Sequence, residues 1–236
     1  MLQFCGLQLV CFIFGLMLAA LLRQGGFAAF RTPDGFGAVL LSTLGFQGAT
    51  CVLASIFLWQ HQIPWREAVG WQRQRTKSFV LWTVGVFVAV LPIAWVLQGL
   101  SNLALTRLGF PPESQHAVEL FLNAKSLWFR IYLGFFAVVL APVAEEFIFR
   151  GVLYPFVKQA GFPRYAFFGV NAVFALIHLD AGALVPLFVL ALALTWLYEQ
   201  TDSLLAPIIA HSLFNTANLV LLLLVELFGA GLPAKS

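Results

Sequence analysis

Two adjacent carboxylates and two imidazoles stand inside apolar stretches of this sequence, where charge is expensive. Glu145, Glu146, Arg150, His178 and His211 each sit where a bilayer would surround the chain. An ionisable group at membrane depth costs roughly 2.5 to 3.5 kcal/mol on insertion scales, so it normally faces a bundle interior or wet cavity with a partner. The five fall into three clusters: Glu145-Glu146-x-x-x-Arg150, Phe174-x-x-x-His178 and His211-x-x-x-Asn215. Positions four apart share a helix face, so Glu146 can pair with Arg150, and His211 and Asn215 point together. Glu145 lies about 100° round the helix from Glu146 and is left free for chemistry. A spare carboxylate, two imidazoles and an amide form the inventory of a hydrolytic site. The carboxylate can take a proton from water and return it to a leaving amine. Preorganised donors such as His211 and Asn215 are typically worth ~3 to 4 kcal/mol each at a developing oxyanion.

Each residue also has a plainer reading. Glu146 with Arg150 is most often a structural ion pair. A single intramembrane His, like Asn171, Asn215 or Asn218, commonly hydrogen-bonds a neighbouring helix. Phe174 is one of 25 Phe and fits packing or a cavity wall. Glu226 is close enough to the end of its apolar stretch to reach the interface, and it is set aside.

The elements that must position these groups are helices in lipid. Of 236 residues, 61% are hydrophobic and 10% charged, with a mean hydropathy of +0.92. A soluble fold of this size lacks the interior to hide so much apolar surface. The fold class is therefore all-α, a polytopic transmembrane bundle forming one domain over 1–236. Stretches able to span are Phe4 to Leu22, Phe36 to Trp59, Phe79 to Leu105, Leu127 to Val157, Arg164 to Leu179, Ala183 to Tyr198 and Leu204 to Phe228. That gives about seven helices near the ~20 residues a bilayer requires. The first lacks a basic leader and reads as a retained helix. A short interfacial helix is expected in the connection from Pro111, Pro112 and Glu113 to Glu119. The chain is thus an integral, multi-pass membrane protein, with lipid as a partner.

The charge of +3 is scattered through short connections and offers no nucleic-acid surface. Arg66, Arg73, Arg75, Lys77, Lys158 and Arg164 lie on one side, against Arg23, Arg31, Arg107, Lys125 and Lys235. The four-charge connection leans the N-terminus toward the cytoplasm. Cys5, Cys11 and Cys51 sit in apolar runs without Cys-x-x-Cys spacing, which argues against a disulfide framework and a thiolate metal site. At ~1.5 Å per residue from the flanking connections, Glu145, His178, His211 and Asn215 fall in one membrane layer. Pro142 before the glutamates, and Asp180, Gly182 and Pro186 after His178, should break helical regularity there.

Glu-Glu-Phe-Ile-Phe-Arg at 145–150, Phe-Ala-Leu-Ile-His at 174–178 and His-Ser-Leu-Phe-Asn at 211–215 resemble, in order, the three motifs of the CPBP intramembrane proteases. This is the CAAX protease and bacteriocin-processing family, which includes type II CAAX prenyl endopeptidases. The resemblance covers roughly the last half of the chain, with 127–228 as the catalytic core on the fourth, fifth and seventh helices. It implies that Glu145 and His178 activate the attacking water, that His211 and Asn215 stabilise the oxyanion, and that Glu146, Arg150 and Phe174 support the site.

The function that follows is an intramembrane endopeptidase acting near the membrane face, in a bacterial or archaeal cell membrane. Its substrates would be prenylated CAAX-type C-termini or hydrophobic leader or transmembrane peptides. The family is widely labelled metalloprotease, and a Zn²⁺ version with His178, His211 and Glu145 as ligands stands beside the glutamate-activated water. No His-Glu-x-x-His helix occurs. The rival readings are a non-catalytic relative that binds peptides or partner proteins in an immunity or regulatory role, and a small transporter. Inverted repeats would favour transport, and none is evident.

Overall fold

Proline and apolar run length dictate most of the architecture. The computed structural model describes residues 2–32, 34–71, 76–110 and 115–229. Arg73, Arg75 and Lys235, like Pro111, Pro112 and Glu113, lie outside the described residues. Among the described residues, besides a single α-helical turn at Trp65–Ala68, eight longer helices follow one another: α1 (Leu2–Gln24), α2 (Phe36–Gln60), α3 (Thr76–Arg107), α4 (His116–Asn123), α5 (Leu127–Gln159), α6 (163–176), α7 (Leu184–Thr201) and α8 (Leu205–Gly229). Six of them, α1, α2, α3, α5, α7 and α8, are long and apolar enough to cross a membrane. There is no strand among the described residues.

The stretch expected to span from Arg164 to Leu179 behaves differently. Its helix, α6, stops at Leu176, and the chain turns over 177–183 before α7 begins. Leu179 takes a left-handed conformation, φ 52°, and Asp180 accepts the Ala183 N–H at 3.0 Å at the entry to α7. His178 therefore stands just past the end of α6 rather than on it. The turn docks on α3, because a Cβ on Gly182 would lie 2.6 Å from Asn102 Oδ1. A side chain at 182 would have to push the Asn102 amide aside. Asn102 is itself held by Gln98 Nε2 at 3.0 Å.

Helix α7 is the centre of the bundle. On one side Leu190, Leu194 and Leu197 meet Val86, Val90 and Ala94 of α3 and Ala206, Ala210 and Phe214 of α8. On the other, Ala191 meets Ile148, Phe149 and Tyr154 of α5 and Ala166, Val170 and Phe174 of α6. The four-residue spacing puts each set on one face, and the alanines let backbones approach closely. The short α4 lies beside α5, burying Phe121 and leaving His116 and Glu119 outside. At the opposite face, Ser203 Oγ and Leu204 N both donate to Val69 O, at 2.9 and 3.1 Å.

Two π-helical turns interrupt α5, at Phe136–Leu140 and Phe147–Leu153. Each ends two residues before a proline, Pro142 or Pro155. At both, the last N–H before the proline bonds five residues back, Ala141 to Phe136 O and Tyr154 to Phe149 O. Proline has no N–H to continue either register, so the carbonyl that follows in sequence is left without its helical donor. Glu145 and Glu146 occupy the short α-helical segment Ala141–Glu146 between the two wide turns.

Candidate active site

Glu146 is the buried anchor of the site. Its side chain and that of Arg150 are both fully buried, and Arg150 Nη1 donates to Glu146 Oε1 at 2.9 Å. Three more guanidinium donors are also taken. Nε reaches Thr195 Oγ1 at 3.2 Å, and Nη2 reaches Asn171 Oδ1 at 3.2 Å and Ala191 O at 2.8 Å. The face of the guanidinium lies 4.9 Å from the Phe174 ring centre. A cation this deep is tolerable because it is paired and hydrogen-bonded on every side.

Glu146 Oε1 accepts a second donor, His211 Nδ1, at 2.9 Å. A carboxylate that already accepts from arginine has no proton to offer, so Nδ1 carries the hydrogen and Nε2 is the free ring nitrogen. That Nε2 stands 3.9 Å from Glu145 Oε2. Glu145 keeps 17% of its side chain exposed and makes no hydrogen bond among the described residues. It is the carboxylate that remains free, as the spacing predicts.

His178 Nδ1 donates to Phe174 O at 2.7 Å, because a carbonyl can only accept. Both imidazoles thus hold the same tautomer with Nε2 uncommitted. The Phe174 ring sits between them, 4.9 Å from the His178 ring and 6.0 Å from that of His211. His178 is exposed and lies within charge–charge reach of Glu145. Phe174 is therefore fully buried packing that holds three site groups at once.

Asn215 bonds a neighbouring helix, as its plainer reading has it. Its Nδ2 donates to Ala137 O at 2.8 Å. That carbonyl is the one left without a helical donor by the π turn before Pro142, so the amide makes good the missing bond. One N–H of Asn215 is committed to α5, and one remains for other work.

A zinc ion at this site would be held by Glu145 and by the Nε2 atoms of His178 and His211, whose Nδ1 atoms already have the carbonyl and carboxylate partners of metal-bound imidazoles. Among the described residues no three His, Cys, Asp or Glu side chains converge on a common point. Two ligands on a tetrahedral zinc with bonds of about 2.05 Å lie ~3.3 Å apart. The Glu145–His211 separation of 3.9 Å is about half an ångström wider than that.

Four polar residues escape motif reading. Thr195 lies on the helix between the second and third motifs, where one hydroxyl in an apolar run is the only signal. Asn171 turns out to be part of the arginine cage. Arg130 and Glu226, the latter set aside above, pair at 2.6 Å where α5 begins and α8 ends. Opposite charges at matched depth on antiparallel helices are the sign that could have found them. A groove of about 360 Å³ lies elsewhere, around Tyr154, Lys158 and Glu199. It is nine or more residues beyond Glu145 along α5, at the bundle's other end.

Fold and site together define an integral, multi-pass, all-α membrane protein with a polar centre shared by α5, α6, α7 and α8. Residues 126–217 match the family described as Type II CAAX prenyl endopeptidase Rce1-like, so a domain of the CAAX protease family is present over this part of the chain. All three motif clusters fall within it. The chain is also similar to the UPF0177 protein YaiF of Lactococcus lactis subsp. lactis (strain IL1403), 36% identical over 79 residues, which is 33% of this chain and 35% of the relative. The match thus spans about a third of that curated relative's length. No solved structure matches the chain.

Proposed function

We propose that the protein is an intramembrane endopeptidase of a bacterial or archaeal cell membrane, hydrolysing peptide bonds by water activated at Glu145. The observation that carries this reading is the 3.9 Å gap between Glu145 Oε2 and His211 Nε2, backed by the neutralised Glu146–Arg150 pair. The gap is too wide for a direct hydrogen bond and short enough for one water to touch both groups.

In the proposed reaction the water oxygen attacks the scissile carbonyl carbon while Glu145, assisted by His178, takes its proton. His211, its Nδ1 kept on the Glu146 carboxylate, donates to the resulting oxyanion from Nε2 once that nitrogen has taken up a proton. The second N–H of Asn215 supplies the other donor. The carbon–nitrogen bond then breaks, and Glu145 returns its proton to the leaving amine. Suitable substrates are prenylated CAAX-type C-termini and hydrophobic leader or transmembrane peptides, which reach such a site from the lipid.

The test is incubation of the protein, reconstituted in liposomes, with a farnesylated CAAX peptide and with a hydrophobic leader peptide in ¹⁸O-water. Hydrolysis predicts a product whose new carboxylate carries ¹⁸O by mass spectrometry. Intact peptides of both kinds after prolonged incubation would contradict the proposal.

A further inference from the structure

Between the motif helices lies a closed ring of three side chains, of which only Arg150 belongs to a motif. Arg150 Nε donates to Thr195 Oγ1 at 3.2 Å, Thr195 Oγ1 donates to Asn171 Oδ1 at 2.9 Å, and Asn171 Oδ1 also accepts Arg150 Nη2 at 3.2 Å. All three residues are at most 1% exposed. The amide of Asn171 is itself pinned, its Nδ2 donating to Phe167 O at 2.6 Å. Its orientation follows from that bond, because the nitrogen must face the carbonyl and the oxygen must face the guanidinium. Thr195 has a single proton, spent on Asn171, which leaves its lone pair for Arg150. The fork of Arg150 is thereby fixed in plane and direction, and only Nη1 points at Glu146.

From this ring we propose that Thr195 and Asn171 are positioning residues for the hydrolytic reaction. Acting through Arg150 and Glu146, they hold His211 as the Nδ1–H tautomer with Nε2 turned to Glu145. The inference rests on the endopeptidase reading for its consequence in catalysis, while the tautomer is a property of the folded protein. A ring that served only stability would leave the imidazole indifferent to it. A ring that positions Glu146 would pass its loss to His211.

Thr195→Val removes the hydroxyl at nearly constant volume, and Thr195→Ser returns it. With the peptide that the wild-type protein cleaves, Thr195→Val is expected to lower kcat roughly 10- to 100-fold with KM little changed, as outer-shell partners and small misplacements typically do. Thr195→Ser should recover most of the loss. In a Glu146→Gln background, Thr195→Val should cost almost nothing more, because the path it acts through is already cut. Equal kcat for Thr195→Val and wild type, or a full additional loss in the Glu146→Gln background, would overturn the proposal. A second readout is independent of turnover. ¹⁵N NMR of histidine-labelled protein should show His211 protonated at Nδ1 in the wild type and a mixture of ring states in Thr195→Val and Asn171→Leu. Unchanged His211 shifts in both folded variants would overturn the proposal even if no peptide is cleaved. Absent cleavage with the expected shifts would refute the endopeptidase reading alone.

Discussion

Helix α5 carries two arginine–glutamate pairs, and they differ in almost everything except chemistry. Near its start Arg130 meets Glu226 of α8 at 2.6 Å, with 28% and 38% of the side chains exposed. Arg130 takes one further bond, to Leu122 O at 3.2 Å, and lies 5.3 Å from the Phe121 ring centre, while its Nε has no acceptor among the described residues. Twenty residues on, Arg150 meets Glu146 with nothing exposed and with four polar partners and an aromatic face around it. The first pair sits at the bundle's edge and joins two helix ends. The second lies where four helices cross, and its carboxylate reaches one bond further to His211. An ion pair in a bilayer thus gains a consequence for chemistry when burial forces each donor to a specified acceptor and one acceptor is shared with a reactive ring.

That contrast can be broken from the inside first. Arg150→Met leaves Glu146 buried without its cation, and breaking such a pair typically costs about 3 to 5 kcal/mol. Thermal unfolding in detergent should show the largest drop of any single change discussed for these pairs. Replacing both members, Glu146→Gln with Arg150→Met, should recover most of that stability, since apolar replacement of a buried pair is often neutral. Peptide cleavage should nevertheless stay lost. Recovery of cleavage together with stability would make the pair structural and nothing more.

A middle-sized effect is expected at Asn215. Asn215→Leu strands the Ala137 carbonyl in the π turn, and an unsatisfied buried group costs about 1 to 3 kcal/mol. Unfolding should register that loss, with Asn215→Gln compared to show whether reach matters as well as the amide. The smallest effect belongs to the edge pair. Glu226→Gln should change stability by ~0 to 1 kcal/mol and leave cleavage near wild type. A loss as large as that of Arg150→Met would erase the distinction between the two regions.

The sequence carries the site more fully than the scaffold around it. Glu146 with Arg150, and Glu145 left free, follow from positions four and one apart on a helix, and the structure has that arrangement. The end of α6 is hidden because Leu176, Ile177 and Leu179 are all apolar. Hydropathy runs straight through the point where the helix stops, and only Asp180 and Gly182 hint at the turn that carries His178. Pro142 marks a break in regularity, but not that the break is a π turn or that Asn215 would cap the freed carbonyl. Thr195 shows in the sequence only as one hydroxyl in an apolar run, and Asn171 only as an amide able to bond a neighbouring helix, as it does. Their importance lies in which atom each one faces across three helices, and spacing along one chain segment does not encode that.

The account stands on Glu145 as the group that takes the proton from water. Glu145→Gln keeps the size and polarity of the side chain and removes the base, so it tests that claim most directly. The variant should insert, unfold at close to the wild-type temperature and show cleavage at least 1000-fold below it, on the order of the ~4 kcal/mol that such a factor represents. Turnover within a few-fold of wild type in the folded variant would contradict the account, and the proton acceptor would have to be sought elsewhere.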